Sequence, residues 1–274
     1  MNTLKDLHNL PEKQTEENKK MPVLFVGHGS PMNGIEDNAF SRRWSEMGKE
    51  IQVPAAVLVV SAHWFTHGTH ITAMEKPKTI HDFYGFPKAI FEVEYPAPGN
   101  PALARETASL INKTHVGLDH EWGLDHGTWS VVRKMYPNAN IPVLQLSIDY
   151  ARKPQFHYEL AKELSALRKK GVLIIGSGNM VHNLGTLNWQ LTESGYDWAV
   201  EMNERFKKFI FNGDHQSLIN YERLGSASKL AIPTPEHYLP MLYTLGLQDE
   251  NDEIKFFNDK TLMGSISMTS FRVG

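Results

Sequence analysis

The sequence predicts a single α/β domain in which a central mixed, largely parallel sheet is flanked by helices. Runs dominated by apolar, β-forming residues recur at 23–26, 56–60, 143–148 and 172–175. Such runs are typical of strands that are buried on both faces of a parallel sheet. The segments between them carry apolar residues at helical spacing, and no linker-like stretch divides the 274 residues. A single domain of this length can bury a substantial core.

The first 20 residues, through Lys20, differ in composition from the rest of the chain. They are polar, and Glu and Lys dominate 12–20. The apolar core that a secretory signal requires is missing from this stretch. We therefore expect a flexible tail at 1–20 and a folded domain at 21–274.

The first half of the domain is predicted to begin with a strand at 23–26 and a helix whose apolar residues recur every three or four positions between 40 and 51. A second strand is expected at about 55–61. From 66 to 101 the chain has no clear periodicity but is rich in aromatic residues, Pro and Gly. We interpret this segment as the wall or lid of a pocket. An Asn-Pro pair at 100–101 then opens a helix.

The second half of the domain is expected to continue the alternation of strands and helices. A loop at 117–129, in which Gly-Leu-Asp-His occurs twice, leads into a helix near 131–136. A strand at 143–148 follows, and another at 172–175 comes directly after Gly171, which ends a helix. The remaining elements are expected as helices at 156–167, 198–210 and 235–246 and as strands at 254–257 and 265–271.

Composition excludes several classes of protein. The formal net charge of −3 offers no basis for binding nucleic acid, since proteins that bind it are usually strongly basic. No apolar run approaches the roughly 18 residues that a membrane span requires. The absence of cysteine excludes disulfides, thiolate metal sites and a cysteine nucleophile, and it is compatible with a cytoplasmic location.

Four of the 13 histidines follow or open predicted elements: His28, His63, His182 and His237. The first three come shortly after buried strands, and His237 is expected in the first turn of a helix. Ligands and metals collect beyond the carboxyl ends of strands in open parallel sheets. Neutral imidazole binds zinc, iron, copper and nickel, and three protein ligands that leave positions open are typical of a catalytic metal. The sequence therefore predicts a metal site, with His28 and His63 as its strongest candidates.

A lone histidine after a strand is more often a hydrogen-bonded loop residue than a ligand, so His182 and His237 carry less weight by themselves. Trp44, Trp198 and Phe206 are expected in the core. The histidines expected at the surface or in loops are His67, His70, His81, His115, His120, His157 and His215.

Six short motifs occur in order along the chain. They are His-Gly-Ser-Pro at 28–31, Ser-Ala-His-Trp at 61–64, His-Asp-Phe-Tyr-Gly-Phe-Pro at 81–87, Asp-His-Gly-Thr-Trp at 125–129, Gly-Ser-Gly-Asn-Met-Val-His-Asn-Leu at 176–184 and Thr-Pro-Glu-His-Tyr-Leu-Pro at 234–240. Together they resemble the 4,5-DOPA extradiol dioxygenase family. This family is a branch of the class III extradiol ring-cleaving dioxygenases, related to the catalytic subunit of protocatechuate 4,5-dioxygenase.

The resemblance implies a role for each matching histidine. It implies that His28, His63 and His237 bind the metal. It further implies that His182 is the acid/base residue and a candidate fourth ligand, and that His126 is a catalytic-site residue in the pocket wall. The wider superfamily has a carboxylate as third ligand to ferrous iron, whereas a histidine stands at that position here. The single divalent ion implied is therefore either zinc or Fe(II).

The function implied by the resemblance is the opening of a catechol ring, in a DOPA-like substrate, with O₂ to give a semialdehyde. This chemistry needs a redox-active metal, and zinc is not one. The partners implied are a small catechol and O₂, with no nucleic acid or membrane, in a monomer or small homo-oligomer. Two alternatives remain. One is a zinc hydrolase, in which the same histidines hold a metal that activates a water molecule. The other is a non-catalytic protein that stores metal or captures small aromatic molecules in a pocket of Phe83, Tyr84 and Phe86.

Overall fold

The computed structural model describes residues 20–274, so the expected tail lies, apart from Lys20, outside the described residues. Its boundary with the domain stays a prediction. The strands are β1 (Val23–Gly27), β2 (Ala56–Thr66), β3 (Thr69–Thr72), β4 (Val116–Asp119), β5 (Val143–Asp149), β6 (Val172–Gly178), β7 (Ile254–Phe257), β8 (Thr261–Leu262), β9 (Ile266–Ser267) and β10 (Ser270–Val273).

Five of the described helices have ten or more residues, and the others are shorter. They are α1 (Ala39–Glu50), α2 (Lys88–Phe91), α3 (Pro101–Leu110), α4 (His126–Met135), α5 (Pro154–Glu163), α6 (Ser165–Lys169), α7 (Asp197–Phe211), α8 (His215–Ile219), α9 (Ser226–Ala231) and α10 (Leu239–Gly246). Short 3₁₀ turns occupy Pro31–Gly34, Leu184–Thr186 and Tyr221–Leu224. Among the described residues, no helix is both long and apolar enough to cross a membrane.

Eight strands form one mixed sheet in the order β4-β3-β5-β2-β6-β1-β10-β7. The four central strands, β5, β2, β6 and β1, are parallel to one another. Antiparallel pairs join β3 to β5 on one side and β10 to β1 and β7 on the other. A mixed, largely parallel sheet with flanking helices is the fold class that the apolar runs predict, and this prediction is confirmed.

The central strands separate two apolar cores, one on each face of the sheet. Within β1, Val23 and Phe25 belong to one core, whereas Leu24 and Val26 belong to the other. This alternation follows from the pleat, which directs successive side chains to opposite faces. The continuous apolar runs are therefore explained by burial on both faces. The expected core residues Trp44 and Phe206 are fully buried, whereas Trp198 is only partly buried at the edge of its core.

Several elements differ from the sequence prediction. The strands β3 and β4, at one side of the sheet, were not predicted, because each has only four residues and few of them are apolar. The helix expected near 131–136 begins at His126, because the Asp125 side chain accepts a hydrogen bond from the Thr128 backbone N–H and caps it. The segment expected to be one helix at 156–167 is divided between α5 and α6. The strand expected at 265–271 is divided between β9 and β10.

Candidate metal centre

His28 follows β1 directly and is buried at the edge of the sheet. Its Nδ1 lies 3.0 Å from the hydroxyl of Ser177 in β6. That hydroxyl donates its single proton to the Gly127 carbonyl oxygen at 2.6 Å. Because the serine proton is already engaged, His28 Nδ1 must donate and the lone pair of this ring lies on Nε2.

His63 lies within β2 and not beyond its end, which corrects the expected strand end near residue 61. The pairing of β2 with β5 shifts register between Val60 and Phe65, so His63 sits at the irregularity. Its Nδ1 is 3.2 Å from the Asp82 carboxylate oxygen Oδ2. Because an ionised carboxylate only accepts hydrogen bonds, its nearness favours the tautomer of His63 with the proton on Nδ1 and the lone pair on Nε2.

The Nε2 atoms of His28 and His63 are 3.0 Å apart, although each carries a lone pair. Two acceptors this close repel each other unless a proton or a cation binds between them. Burial, reinforced by the neighbouring histidines, lowers the pKa of His28 well below its usual value, and burial lowers that of His63 to about 3. Protonation is therefore disfavoured, and the pair of lone pairs fits a metal cation.

His237 lies in the turn before α10 and not in the first turn of that helix, which corrects the expected start at 235. The turn packs directly against β6, where a side chain on Gly178 would overlap the His237 carbonyl oxygen. His237 Nδ1 is 3.4 Å from the Glu236 carboxylate. Burial, followed by the neighbouring histidines, lowers the pKa of His237 well below its usual value.

The rings of His28, His63 and His237 form a triangle. The ring centres are 5.0 Å apart between His28 and His63, 5.4 Å between His28 and His237, and 5.0 Å between His63 and His237. Metal–nitrogen bonds of about 2.0–2.1 Å place each ring centre roughly 3.2 Å from the ion, and hence roughly 5.2 Å from the next ring in a tetrahedral set. The three rings are spaced as ligands of one metal ion would be.

His182 stacks on the ring of His237, with ring centres 3.5 Å apart and planes 7° apart. It follows β6, as expected, and its backbone N–H donates to Ala231. Burial, with a smaller contribution from His126, lowers the pKa of His182 to about 4. The ligand atoms of His182, Glu236 and His237 lie within 4.8 Å of one another, so His182 is brought to the same site.

His126 is the first residue of α4 and lies against the other side of the site. Its ring centre is 3.9 Å from that of His63, and the ligand atoms of His28, His63 and His126 lie within 4.8 Å of one another. The edge of the Phe83 ring packs against it, with centres 5.5 Å apart and planes at 87°. His126 and Phe83 thus form a wall of the site, and the irregular segment expected to supply a pocket wall provides Phe83.

Asp82 joins two of these histidines through one carboxylate. Its Oδ1 accepts hydrogen bonds from the backbone N–H of His126 at 3.0 Å and from Nδ1 at 2.9 Å, while Oδ2 faces His63. Burial alone would raise the pKa of Asp82, but the hydrogen bonds and charge interactions with His126 and the charge interaction with His63 outweigh burial and lower it to about 2. Asp82 is therefore ionised.

A second buried carboxylate, Asp125, fixes the frame behind the site. It accepts hydrogen bonds from Ser61 at 2.7 Å and from the Gln145 side-chain amide at 2.6 Å. Its own backbone N–H donates to Gln145 Oε1 at 2.9 Å. Burial, together with the nearby charge of Asp82, raises the pKa of Asp125. These bonds tie β2, β5 and the start of α4 to one another.

The sequence analysis did not single out Asp82, Asp125 or Ser177. Each of them occurs inside one of the six motifs, and each aspartate is adjacent to a motif histidine, but this position alone does not reveal what their side chains contact. One surface expectation was wrong: His157 is fully buried and pairs with the Tyr243 hydroxyl at 3.0 Å. The other histidines expected at the surface are partly or fully exposed: His67, His70, His81, His115, His120 and His215.

Comparison with known proteins relates this chain to one family. The model of the catalytic LigB subunit of aromatic ring-opening dioxygenase matches residues 21–273. The chain is 48% identical over 260 residues to the 4,5-DOPA dioxygenase extradiol of Escherichia coli K12, covering 93% of this chain and 95% of the relative. It is 34% identical to the protein of the same name from Beta vulgaris, covering 94% and 98%.

A solved structure gives the same result. A crystal structure of an uncharacterised protein from Escherichia coli K12 superimposes with a TM-score of 0.81 at 44% identity, covering 93% of this chain and 100% of that one. Residues 21–273, which the family model matches, contain the sheet, both cores and all the histidines of the site. The chain therefore belongs to the LigB family of aromatic ring-opening dioxygenases and is an extradiol dioxygenase.

Proposed function

We propose that this dioxygenase opens the ring of a DOPA-like catechol with O₂, using one divalent metal ion held by His28, His63 and His237. The observation that carries the proposal is the approach of two Nε2 lone pairs to 3.0 Å, with the third ring 5.0 and 5.4 Å from the first two. Relatives named for 4,5-DOPA dioxygenation support the choice of substrate class.

We propose Fe(II) as the metal for turnover. When bound, it would stabilise the deprotonated catechol and allow electrons to pass to O₂. An all-histidine donor set binds zinc as readily as iron, but zinc is redox-inert. Zinc is therefore the alternative occupant of this site, and a zinc-loaded protein is expected to bind catechols without consuming O₂.

His182 is proposed as the acid/base residue, and a candidate fourth ligand. Burial lowers the pKa of its ring to about 4, which leaves the ring neutral but makes it a weak base. A catechol hydroxyl acidified by the bound metal ion would still be able to give its proton to a ring nitrogen. Stacking on His237 at 3.5 Å fixes the plane of the ring beside the proposed metal ligands. The same ring can later return that proton to the product side of the reaction.

His126 is proposed to act on the substrate from the opposite wall. Its Nδ1 is engaged by Asp82, so Nε2 is the nitrogen left to contact a bound molecule. Phe83, packed edge-on against His126, extends this wall with an apolar aromatic surface. A planar catechol ring fits such a wall, and its burial there excludes water from the reacting atoms.

The test is oxygen uptake by protein loaded anaerobically with Fe(II) and mixed with L-DOPA. Uptake of O₂ together with a yellow semialdehyde product is expected, because ring opening incorporates both oxygen atoms. A singly O-methylated catechol, which has one free hydroxyl fewer, and zinc-loaded protein serve as controls without expected turnover. Ester hydrolysis by the zinc-loaded protein, with no O₂ uptake by the iron-loaded protein, would contradict the proposal and favour a hydrolase.

A further inference from the structure

The carboxylate of Asp82 contacts two imidazoles that the proposed function uses in different ways. On one side it accepts two hydrogen bonds from His126, and on the other it lies 3.2 Å from His63 Nδ1. The two rings are themselves packed closely, with centres 3.9 Å apart. One side chain is therefore placed against the Nδ1 atoms of both rings.

The position of Asp82 is fixed by the irregular segment that carries it. The Ile80 backbone N–H donates to the Leu124 carbonyl oxygen, just before α4, and the Leu124 N–H donates to the Lys78 carbonyl oxygen. The Trp129 indole donates to the Ile80 carbonyl oxygen at 2.9 Å. These bonds attach the segment to the start of α4, so Asp82 joins the aromatic wall to the proposed metal site.

We propose that Asp82 is a positioning residue for ring opening, since it holds His63 as an Nε2 metal ligand and His126 with Nε2 free for the substrate. This inference rests on the proposed function for the roles of the two histidines. A carboxylate suits both tasks because both of its oxygens accept hydrogen bonds and neither donates one. Carboxylates that fix the tautomer of a metal-binding histidine in this way contribute to metal affinity.

The variant Asp82→Asn distinguishes the two contacts. An amide has one accepting oxygen and one donating nitrogen, so it can satisfy only one side. The oxygen is expected to stay at His126, which offers two donors, and the amide nitrogen then faces His63 Nδ1. His63 would move its proton to Nε2, the atom proposed to bind the metal, whereas His126 would keep its tautomer.

The experiment compares Asp82→Asn with wild type and with Asp214→Asn. Asp214 caps α8 through the Ser217 backbone N–H, and Asn is an equally good cap, so this control makes the same chemical change away from the site. Zinc affinity is measured by competition with a chelator, and histidine tautomers are measured by ¹⁵N NMR. Asp82→Asn is expected to weaken zinc binding about 10–100-fold and to move the proton of His63 alone.

Two results would overturn the inference. One is wild-type zinc affinity with unchanged tautomers in Asp82→Asn. The other is a proton on Nε2 of His63 or His126 in the zinc-loaded wild type. This result would overturn the inference even if the variant does not fold. Neither readout needs turnover. An iron-loaded wild type that consumes no O₂ with any catechol contradicts the proposed function, whereas normal zinc affinity with unchanged tautomers in Asp82→Asn contradicts this inference alone.

Discussion

The hydroxyl of Ser177 offers a sharp test of how the site is prepared for a metal ion. In the variant Ser177→Ala, the His28 Nδ1–H loses its acceptor and the Gly127 carbonyl oxygen loses a donor. The His28 ring can then move its proton to Nε2, where His63 Nε2, 3.0 Å away, can accept it. The metal-free variant gains a hydrogen bond between the two Nε2 atoms. This hydrogen bond occupies the two atoms that are proposed to bind the ion.

The size of the effect follows from the groups that are left unsatisfied. The proton shift relieves His28, so the principal loss is the hydrogen bond to Gly127, and one unsatisfied buried polar group costs about 1–3 kcal/mol. For a chain of this size each kcal/mol lowers Tm by about 2–4 °C. Metal binding must in addition displace the proton between His28 and His63, so zinc affinity is expected to fall about 10–100-fold.

A buried serine on α4 provides the matched control. Ser130 is as buried as Ser177, yet its hydroxyl has no hydrogen-bond partner within residues 20–274. Ser130→Ala is therefore expected to leave both Tm and zinc affinity near wild type. Thermal unfolding of the metal-free proteins gives Tm, and chelator competition gives the zinc affinity. If Ser177→Ala matched Ser130→Ala in both measurements, the proposed fixing of the His28 tautomer would be refuted.

Three further predictions address other residues. His63→Ala should lose the bound metal and remain folded, and stoichiometric metal by elemental analysis would remove His63 from the ligand set. His182→Ala should keep metal and lose kcat by about 10²–10⁴-fold, and near-wild-type turnover would refute its acid/base role. Burial lowers the pKa of His157 to about 4, from about 6.5 in the unfolded chain. The buried neutral ring therefore makes its full contribution to stability above pH of about 6.5 and loses it as pH falls towards about 4. About 2 kcal/mol is lost by pH of about 5. His157→Gln should therefore show a smaller loss of stability between neutral pH and pH of about 5 in urea unfolding, and an unchanged pH dependence would contradict this assignment.

The central strands could be predicted from sequence because burial on both faces requires an unbroken apolar run. Residues 23–26, 56–60 and 172–175 are such runs, and all lie in parallel strands. The strands Thr69–Thr72 and Val116–Asp119 lack this signal, because each has only four residues and too few apolar ones to form a run. Their pairing depends on the tertiary fold and not on local composition.

The candidate site was predictable to the extent that its residues adjoin recognisable strands. His28 and His182 follow buried strands, and the edge of a parallel sheet brings such residues together. His126 emerged only from the family resemblance, because its place in α4 depends on the capping side chain of Asp125. Asp82 could not be assigned a role from sequence, since the irregular segment at 66–101 gives no periodicity from which its direction could be inferred.

The central claim is that His28, His63 and His237 bind one metal ion. It is tested most directly by a crystal structure of the metal-loaded protein, with anomalous diffraction collected on both sides of the zinc or iron absorption edge. The account predicts one anomalous peak at about 2.0–2.2 Å from a nitrogen of each of the three rings. An anomalous peak at another place, or no peak shared by the three histidine rings after metal loading, would contradict it.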